Sequence, residues 1–296
     1  MLKLKRAAMR LPQVVALGGS LLRPEESENR DIWFGKLRQL AVHIEGNSRK
    51  LGIVVGGGLP AREGINVAKN FISNPDRLDE IGIAATRLNA TIIQQTLLEI
   101  GCNVAPKIPD STDDASAYFS DYNIVIMGGT TPGHTTDAVA VSLARDCNAC
   151  DCIIATNVDH IYDKDPRYHN DAEPFFEMTI SQLAELCGSE RLEPGQSAVV
   201  DPIAVSIAAE NNINIAVLDG RNLDLVELYS CCVSRRRPGV NSCLLPLNSK
   251  DMRASCQLLQ DHGVGLEFIT AARVGCRTNG KLEAFFSHLT AINGRY

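Results

Sequence analysis

Twelve residues near the middle of the chain have types and spacing suited to chemistry: Met127-Gly128-Gly129-Thr130-Thr131-Pro132-Gly133-His134-Thr135-Thr136-Asp137-Ala138. An apolar run, Asn123 to Met127, leads into them, and a second, Ala138 to Ala144, leads out. The first run reads as a buried strand and the second as a helix. Glycine lets the backbone approach a ligand closely. Threonine hydroxyls beside the free amides of a helix start suit an anion. A decorated strand-to-helix turn is the preferred explanation for one loop of this kind taken alone. Two further glycine turns after apolar runs, Gly18-Gly19-Ser20 and Gly56-Gly57-Gly58, shift the balance toward a ligand. Three such turns on one edge offer backbone N–H groups to several phosphates at once.

The elements that must position these loops follow from the apolar periodicity. Strands are expected at 13–17, 52–58, 103–108, 123–127, 151–155 and 214–220. Helices are expected at 32–44, from Ala61 onward with Arg62 in the first turns, at 77–100, 138–144, 181–187 and 203–210. The long helix over 77–100 has an apolar face at Ile83, Leu88, Ile92, Ile93 and Leu97. Strands alternating with helices imply an α/β fold, a three-layer αβα sandwich around a mainly parallel central sheet. Ligands in such folds sit at the carboxyl ends of the strands. The three glycine loops and the segment 156–167 all follow strands, so all four are expected on one edge.

Composition narrows the class. The chain has 296 residues, 45% hydrophobic and 22% charged, which is ordinary for a globular protein. A net charge of -6 argues against a nucleic-acid binder relying on phosphate attraction. No apolar run approaches the roughly 20 residues of a membrane span. The basic start, Met1 to Arg6, lacks a convincing cleavage site downstream, so a cytoplasmic protein without a membrane partner is expected. Five of the ten cysteines fall within residues 1–230 and five within 231–296. Cys147-x-x-Cys150-x-Cys152 is the one metal-like cluster. It has no second Cys/His pair at zinc-finger spacing, so small buried hydrophobes are the reading preferred and no protein metal site is assigned.

None of the glycine loops is a Walker loop, a dinucleotide fingerprint or a nucleophile elbow. Positioning and charge neutralisation without a covalent intermediate are what phosphoryl transfer between two bound nucleotides requires. Gly18-Gly19-Ser20, Gly56-Gly57-Gly58 with Arg62, Gly128-Gly129-Thr130-x-Pro132-Gly133-His134-Thr135-Thr136-Asp137-Ala138, and Thr156-Asn157-Val158-Asp159-x-Ile161-Tyr162-x-Lys164-Asp165-Pro166 stand in a recognisable order. That order resembles the amino-acid kinase superfamily, and within it the uridylate (UMP) kinases of archaeal type, over about residues 13–228.

The resemblance implies ATP and UMP as substrates, Mg²⁺ accompanying ATP, and a homo-oligomer, a hexamer. It implies that Gly19, Ser20, Gly58 and Arg62 meet the ATP phosphates. Thr156, Asn157, Tyr162 and Asp165 would form the adenosine pocket. Gly57 would touch UMP, Asp79 would hold it through ribose hydroxyls, and Thr130, Thr131, Pro132, Gly133, His134, Thr135 and Thr136 would wrap its base and phosphate. Asp201 resembles a family carboxylate near the active site, and the Asp201-Pro202 pair equally reads as a helix start. Asp159 is a further candidate beside Mg²⁺. His134 reads as a hydrogen-bonder, because phosphorylating a phosphate oxygen needs no base.

The chain departs from that pattern in three places. Many superfamily members carry a Lys before the first glycine turn, whereas Gln13-Val14-Val15-Ala16-Leu17 has none. Arg62 and Lys164 are the candidates for the positive charge, and with Asp201 they form the expected catalytic set. His160 replaces a usual glycine, where φ > 0 is common, so an altered turn is expected. Residues 230–296 resemble nothing in the family and are treated as a C-terminal extension to a 13–229 kinase-like domain. A short amphipathic helix over 281–289 and an anion patch or solvated turn at Arg235 to Arg237 are expected there. Other reaction classes on this pattern remain open: a kinase acting on a carboxylate, carbamate or isopentenyl phosphate, or a binder of nucleotide or oxyanion without turnover.

Overall fold

The structure, a computed structural model, describes residues 11–22, 27–158, 160–166, 168–175, 177–188, 200–224, 226 and 272–274. In chain order the strands are β1 (Gln13–Leu17), β2 (Leu51–Val55), β3 (Ile124–Met127), β4 (Asp151–Thr156), β5 (Ile161–Tyr162), β6 (Pro174–Phe175), β7 (Glu177–Met178), β8 (Asn214–Asp219) and β9 (Ala272–Val274). The helices are α1 (Ser27–Gly46), α2 (Gly58–Ala68), α3 (Pro75–Glu99), α4 (Thr112–Tyr118), α5 (Thr136–Asp146), α6 (Ile180–Cys187) and α7 (Pro202–Asn211).

Five strands in the order β3-β2-β1-β4-β8 run parallel. The three-residue β9 adds antiparallel to β8, with β7 parallel outside it. β5 and β6 form a separate antiparallel pair.

Strands buried on both faces need continuous apolar runs, and β1 shows the consequence. Successive side chains alternate between two cores. Val14 and Ala16 join one core with residues of α4, α5, α6 and α7. Val15 and Leu17 join the other with Trp33, Leu37 and Ile44 of α1 and Ala90, Ile93 and Leu97 of α3. Helices on both faces of a mainly parallel sheet complete the expected α/β architecture.

The structure corrects three local readings. Residues 103–108 form no strand: Val104 makes a single bridge to Ile124, and Pro106 and Pro109 flank the break. Gln94 of α3 donates to the Ala105 carbonyl at 2.8 Å and pins this segment instead. Leu88 and Ile92 face outward, 53% and 36% exposed, so the buried face of α3 is Thr86, Asn89, Ala90, Ile93, Gln94 and Leu97. Helix α2 begins at Gly58 rather than near Ala61, because the second glycine turn is itself the helix start. Helix α4 and the β5–β6 pair had no counterpart in the sequence reading. The expected helix over 281–289 and Arg235 to Arg237 lie outside the described residues. Of the three clustered cysteines, Cys147 and Cys152 are buried as expected, and burial pushes both thiols up, Cys147 to about 11. Cys150 is exposed and departs from the expectation of a buried hydrophobe.

Candidate active site

Parallel register decides where the loops emerge. Leu17 pairs with Val55 and Ala155, Val54 with Met127, and Thr156 with Asp219, so the strands end together. Beyond that edge lies a cleft of about 860 Å³, within the range of small-molecule sites. Gly18, Gly19 and Ser20, Gly56 to Gly58, Gly129, Gly133 to Asp137, and Thr156 to Val158 all line it.

The first two loops interlock. Gly56 N donates to Leu17 O at 2.8 Å, and Gly18 N donates to Ala155 O at 2.9 Å. A Cβ on Gly19 would overlap the backbone of Gly56 and Gly58. Gly58 has φ +59, and a Cβ there would stand 2.6 Å from the Gly19 carbonyl carbon. Both positions therefore require glycine, for close approach and for a left-handed backbone. Gly19→Ala is expected to destabilise the protein by about 2–3 kcal/mol, roughly 5–10 °C in Tm, and to abolish nucleotide binding. Thermal unfolding and ATP calorimetry on the full chain check this, and an unchanged melting temperature contradicts the interlock.

Helix α3 ties the loops together along one face. Asp79 Oδ2 accepts from Gly133 N at 2.7 Å. Thr86 Oγ1 accepts from Gly129 N at 2.6 Å while donating to Ile83 O at 2.6 Å. Asn89 Nδ2 donates to the Gly56 and Gly57 carbonyls at 2.8 and 3.0 Å. Asp79 is therefore more than a charge near a helix start; it fixes the turn of the third loop. Thr86 and Asn89 were missed by the sequence reading. The signal that marks them is a pair of polar residues within the apolar stripe of an amphipathic helix.

A carboxylate pair closes the back of the cleft. Asp201 is 2% exposed. Its Oδ1 caps α7 by accepting from Ile203 N at 3.0 Å, and its Oδ2 accepts from the Thr135 hydroxyl at 2.5 Å. Thr135 in turn caps α5, accepting from Ala138 N at 3.3 Å. Asp201 thus serves both expected roles, as helix cap and as cleft-lining carboxylate. Asp137, in the first turn of α5, faces it. Burial pushes the Asp137 carboxyl up to about 7, the Asp201 carboxylate adds to the push, and a hydrogen bond from the Asp201 backbone opposes it. Asp137 was not among the sequence candidates, although it stands in the quoted motif.

At the other end, Thr156, Asn157, His160, Tyr162, Asp165 and Pro166 form one wall. His160 packs edge-on against Tyr162, with ring centroids 6.2 Å apart and an interplanar angle of 87°. His160 is not among the residues with positive φ, so the turn is built here without the glycine conformation. Asp159 lies outside the described residues.

The structure brings most sequence candidates together: Gly19, Ser20, Gly57, Gly58, Arg62, Asp79, Gly133, His134, Thr135, Thr136, Thr156, Asn157, Tyr162, Asp165 and Asp201 line the cleft. It does not bring Thr130, Thr131, Pro132 or Lys164 to the cleft wall. Thr130 and Pro132 are half-buried and Thr131 is exposed, and Lys164 Nζ pairs with Asp171 at 2.7 Å. Among the described residues, Arg62 is the one Lys or Arg lining the cleft.

An open parallel sheet with glycine loops and helix starts gathered around one cleft defines an α/β protein built to hold phosphate groups. The chain belongs to the amino acid kinase family, whose model matches residues 12–219. It is 38% identical over 220 residues to the uridylate kinase of Methanococcus aeolicus, covering 73% of this chain and 94% of that protein. It is 38% identical over 218 residues to the uridylate kinase of Methanocaldococcus jannaschii, covering 73% and 93%. The crystal structure of the uridylate kinase from Archaeoglobus fulgidus superposes with a TM-score of 0.58 at 35% identity, over 70% of this chain and 91% of that one.

Proposed function

We propose that this chain is an ATP-dependent uridylate kinase, moving the ATP γ-phosphoryl group to the phosphate of UMP to give UDP and ADP. The observation that carries the reading is the interlock of the 18–20 and 56–58 loops inside a cleft that also holds Gly129, Gly133 and Thr136. Similarity over nearly the full length of known uridylate kinases supports it.

In this reading ATP lies between the 18–20 loop and the wall of Thr156, Asn157, Tyr162 and Asp165. UMP lies against Asp79, Gly133 and Thr136. The backbone N–H groups of the glycine loops and the α2 start neutralise the phosphates, and Arg62 stabilises charge spread over the transferring group. The acceptor oxygen attacks in line while the β–γ bridging bond breaks, with no protein covalent intermediate.

Mg²⁺ suits this site as an ion carried on the nucleotide phosphates, because it keeps waters and takes one or two carboxylates rather than a full cage. Asp137 and Asp201 are the oxygen donors that would face it, and a cation relieves the repulsion between them. When bound, it supplies charge neutralisation at the phosphates.

The 13–229 domain and its 230–296 extension, the homohexamer, and a cytoplasmic location complete the proposal; among the described residues no helix is long and apolar enough to cross a membrane. An ADP-release assay across UMP, CMP, acetylglutamate, carbamate and isopentenyl phosphate tests the activity. Turnover with UMP far above the rest is the expected result, and none with UMP rejects it. Mass measurement in solution tests the assembly.

A further inference from the structure

We infer that Asn89 is a positioning residue for the transfer: from inside the fold it holds the second glycine loop with its N–H groups turned toward the phosphates. This rests on the cleft being the transfer site proposed above.

Asn89 is 0% exposed, and its single Nδ2 nitrogen donates to two successive carbonyls, Gly56 O at 2.8 Å and Gly57 O at 3.0 Å. A peptide unit is planar and trans, so its N–H points opposite to its C=O. Carbonyls 56 and 57 drawn toward α3 therefore send the N–H groups of Gly57 and Gly58 the other way. Both residues line the cleft. A run of three glycines has no side chains of its own to resist a peptide flip. A flipped unit would aim a carbonyl oxygen at the phosphates and exchange attraction for repulsion. The loop that must be glycine for close approach must therefore be held from outside.

The hold extends further. Gly56 and Gly58 are packed against Gly19, so fixing one loop fixes the other. On the same helix, Thr86 holds Gly129 and Asp79 holds Gly133. Residues 79, 86 and 89 stand seven and three apart, close to one face of a helix with 3.6 residues per turn. Helix α3 thus sets the spacing between the donor-side and acceptor-side loops. Helix stability does not account for the residue: asparagine is a mediocre helix former, and a buried carboxamide is costly unless bonded.

The test uses the full chain with Asn89→Leu, Asn89→Asp and Asn89→Ser, each checked by thermal unfolding. Leucine keeps the volume without donors; kcat is expected to fall about 100-fold, with the affinity for UMP alone changed less than about threefold. Aspartate at pH 8 presents only acceptors and is expected to be impaired as severely. As the pH falls toward 5.5 the carboxyl gains a proton it can donate, and activity relative to wild type is expected to recover about tenfold. Asn89→Leu shows no such recovery. Serine is small enough to be accommodated if the others do not fold, and with one hydroxyl donor it is expected to retain about a tenth of kcat.

A role in packing alone predicts wild-type kcat for Asn89→Leu, or a pH profile of Asn89→Asp parallel to wild type; either overturns the inference. Wild-type turnover measured alongside separates the two readings. No wild-type turnover of UMP, together with weakened ATP binding in Asn89→Leu, rejects the kinase and leaves the loop-holding role standing.

Discussion

Arg62→Ala is expected to lower kcat with ATP and UMP by about 10²–10⁴-fold, while the protein folds and melts as wild type. The size of the effect follows from what surrounds the cleft. β1 carries no lysine before its glycine turn. Lys164 is turned to Asp171, off the cleft wall. Arg62, early in α2, is then the mobile positive charge within reach among the described residues. Its side chain is exposed, so removing it disturbs no packing. The remaining anion holders are backbone dipoles, which are fixed in place and carry only partial charge. Lysine at 62 restores the charge without the planar fork and is expected to recover part of the loss. Steady-state kinetics on Arg62→Ala and Arg62→Lys decide it. A kcat within threefold of wild type in the alanine variant would mean that the charge comes from elsewhere.

Asp137→Asn is expected to raise the Tm of the ligand-free protein at pH 8 by about 5 °C while reducing kcat about 100-fold. The sign follows from the direction of the shift. The folded protein holds the Asp137 proton up to about pH 7, whereas an unfolded aspartate releases it near 3.8. Below 3.8 both states are protonated and nothing is lost. Between 3.8 and 7 the unfolded chain binds fewer protons, so stability falls as pH rises. Above 7 both are ionised and the full repulsion with Asp201 is present. Wild-type Tm should therefore decline from pH 5 to 7.5, and the asparagine variant should flatten that slope. Activity runs the opposite way. A carboxylate facing a nucleotide-borne cation must be ionised, so wild-type kcat/KM is expected to rise through about pH 7. A wild-type Tm that climbs over the same interval would falsify this assignment of the pair. Stability is thus sacrificed at the place where charge is needed.

Local sequence was a good guide wherever the signal was itself local. The β1, β3, β4 and β8 runs were legible because a strand buried on both faces must be apolar at every position. The glycine loops were legible because only glycine permits the approach of Gly19 to Gly56. Residues 103–108 misled because they are apolar yet anchored by a distant side chain, Gln94, rather than by a ladder. Leu88 and Ile92 misled because periodicity finds an apolar stripe without saying which edge of it meets the sheet.

The chain's own order of residues determined its strand-helix alternation, its three phosphate-type turns and the family to which it belongs, since each depends on neighbours within a few positions. Only the tertiary structure decided which side chains serve those turns. It placed Asn89 under Gly57, Thr86 under Gly129 and Asp137 against Asp201, and it left Lys164 outside. Those pairings join residues between 32 and 64 positions apart. A hydrogen bond acts over about 3 Å, so such pairings exist only once the parallel register has brought the strand ends to one edge.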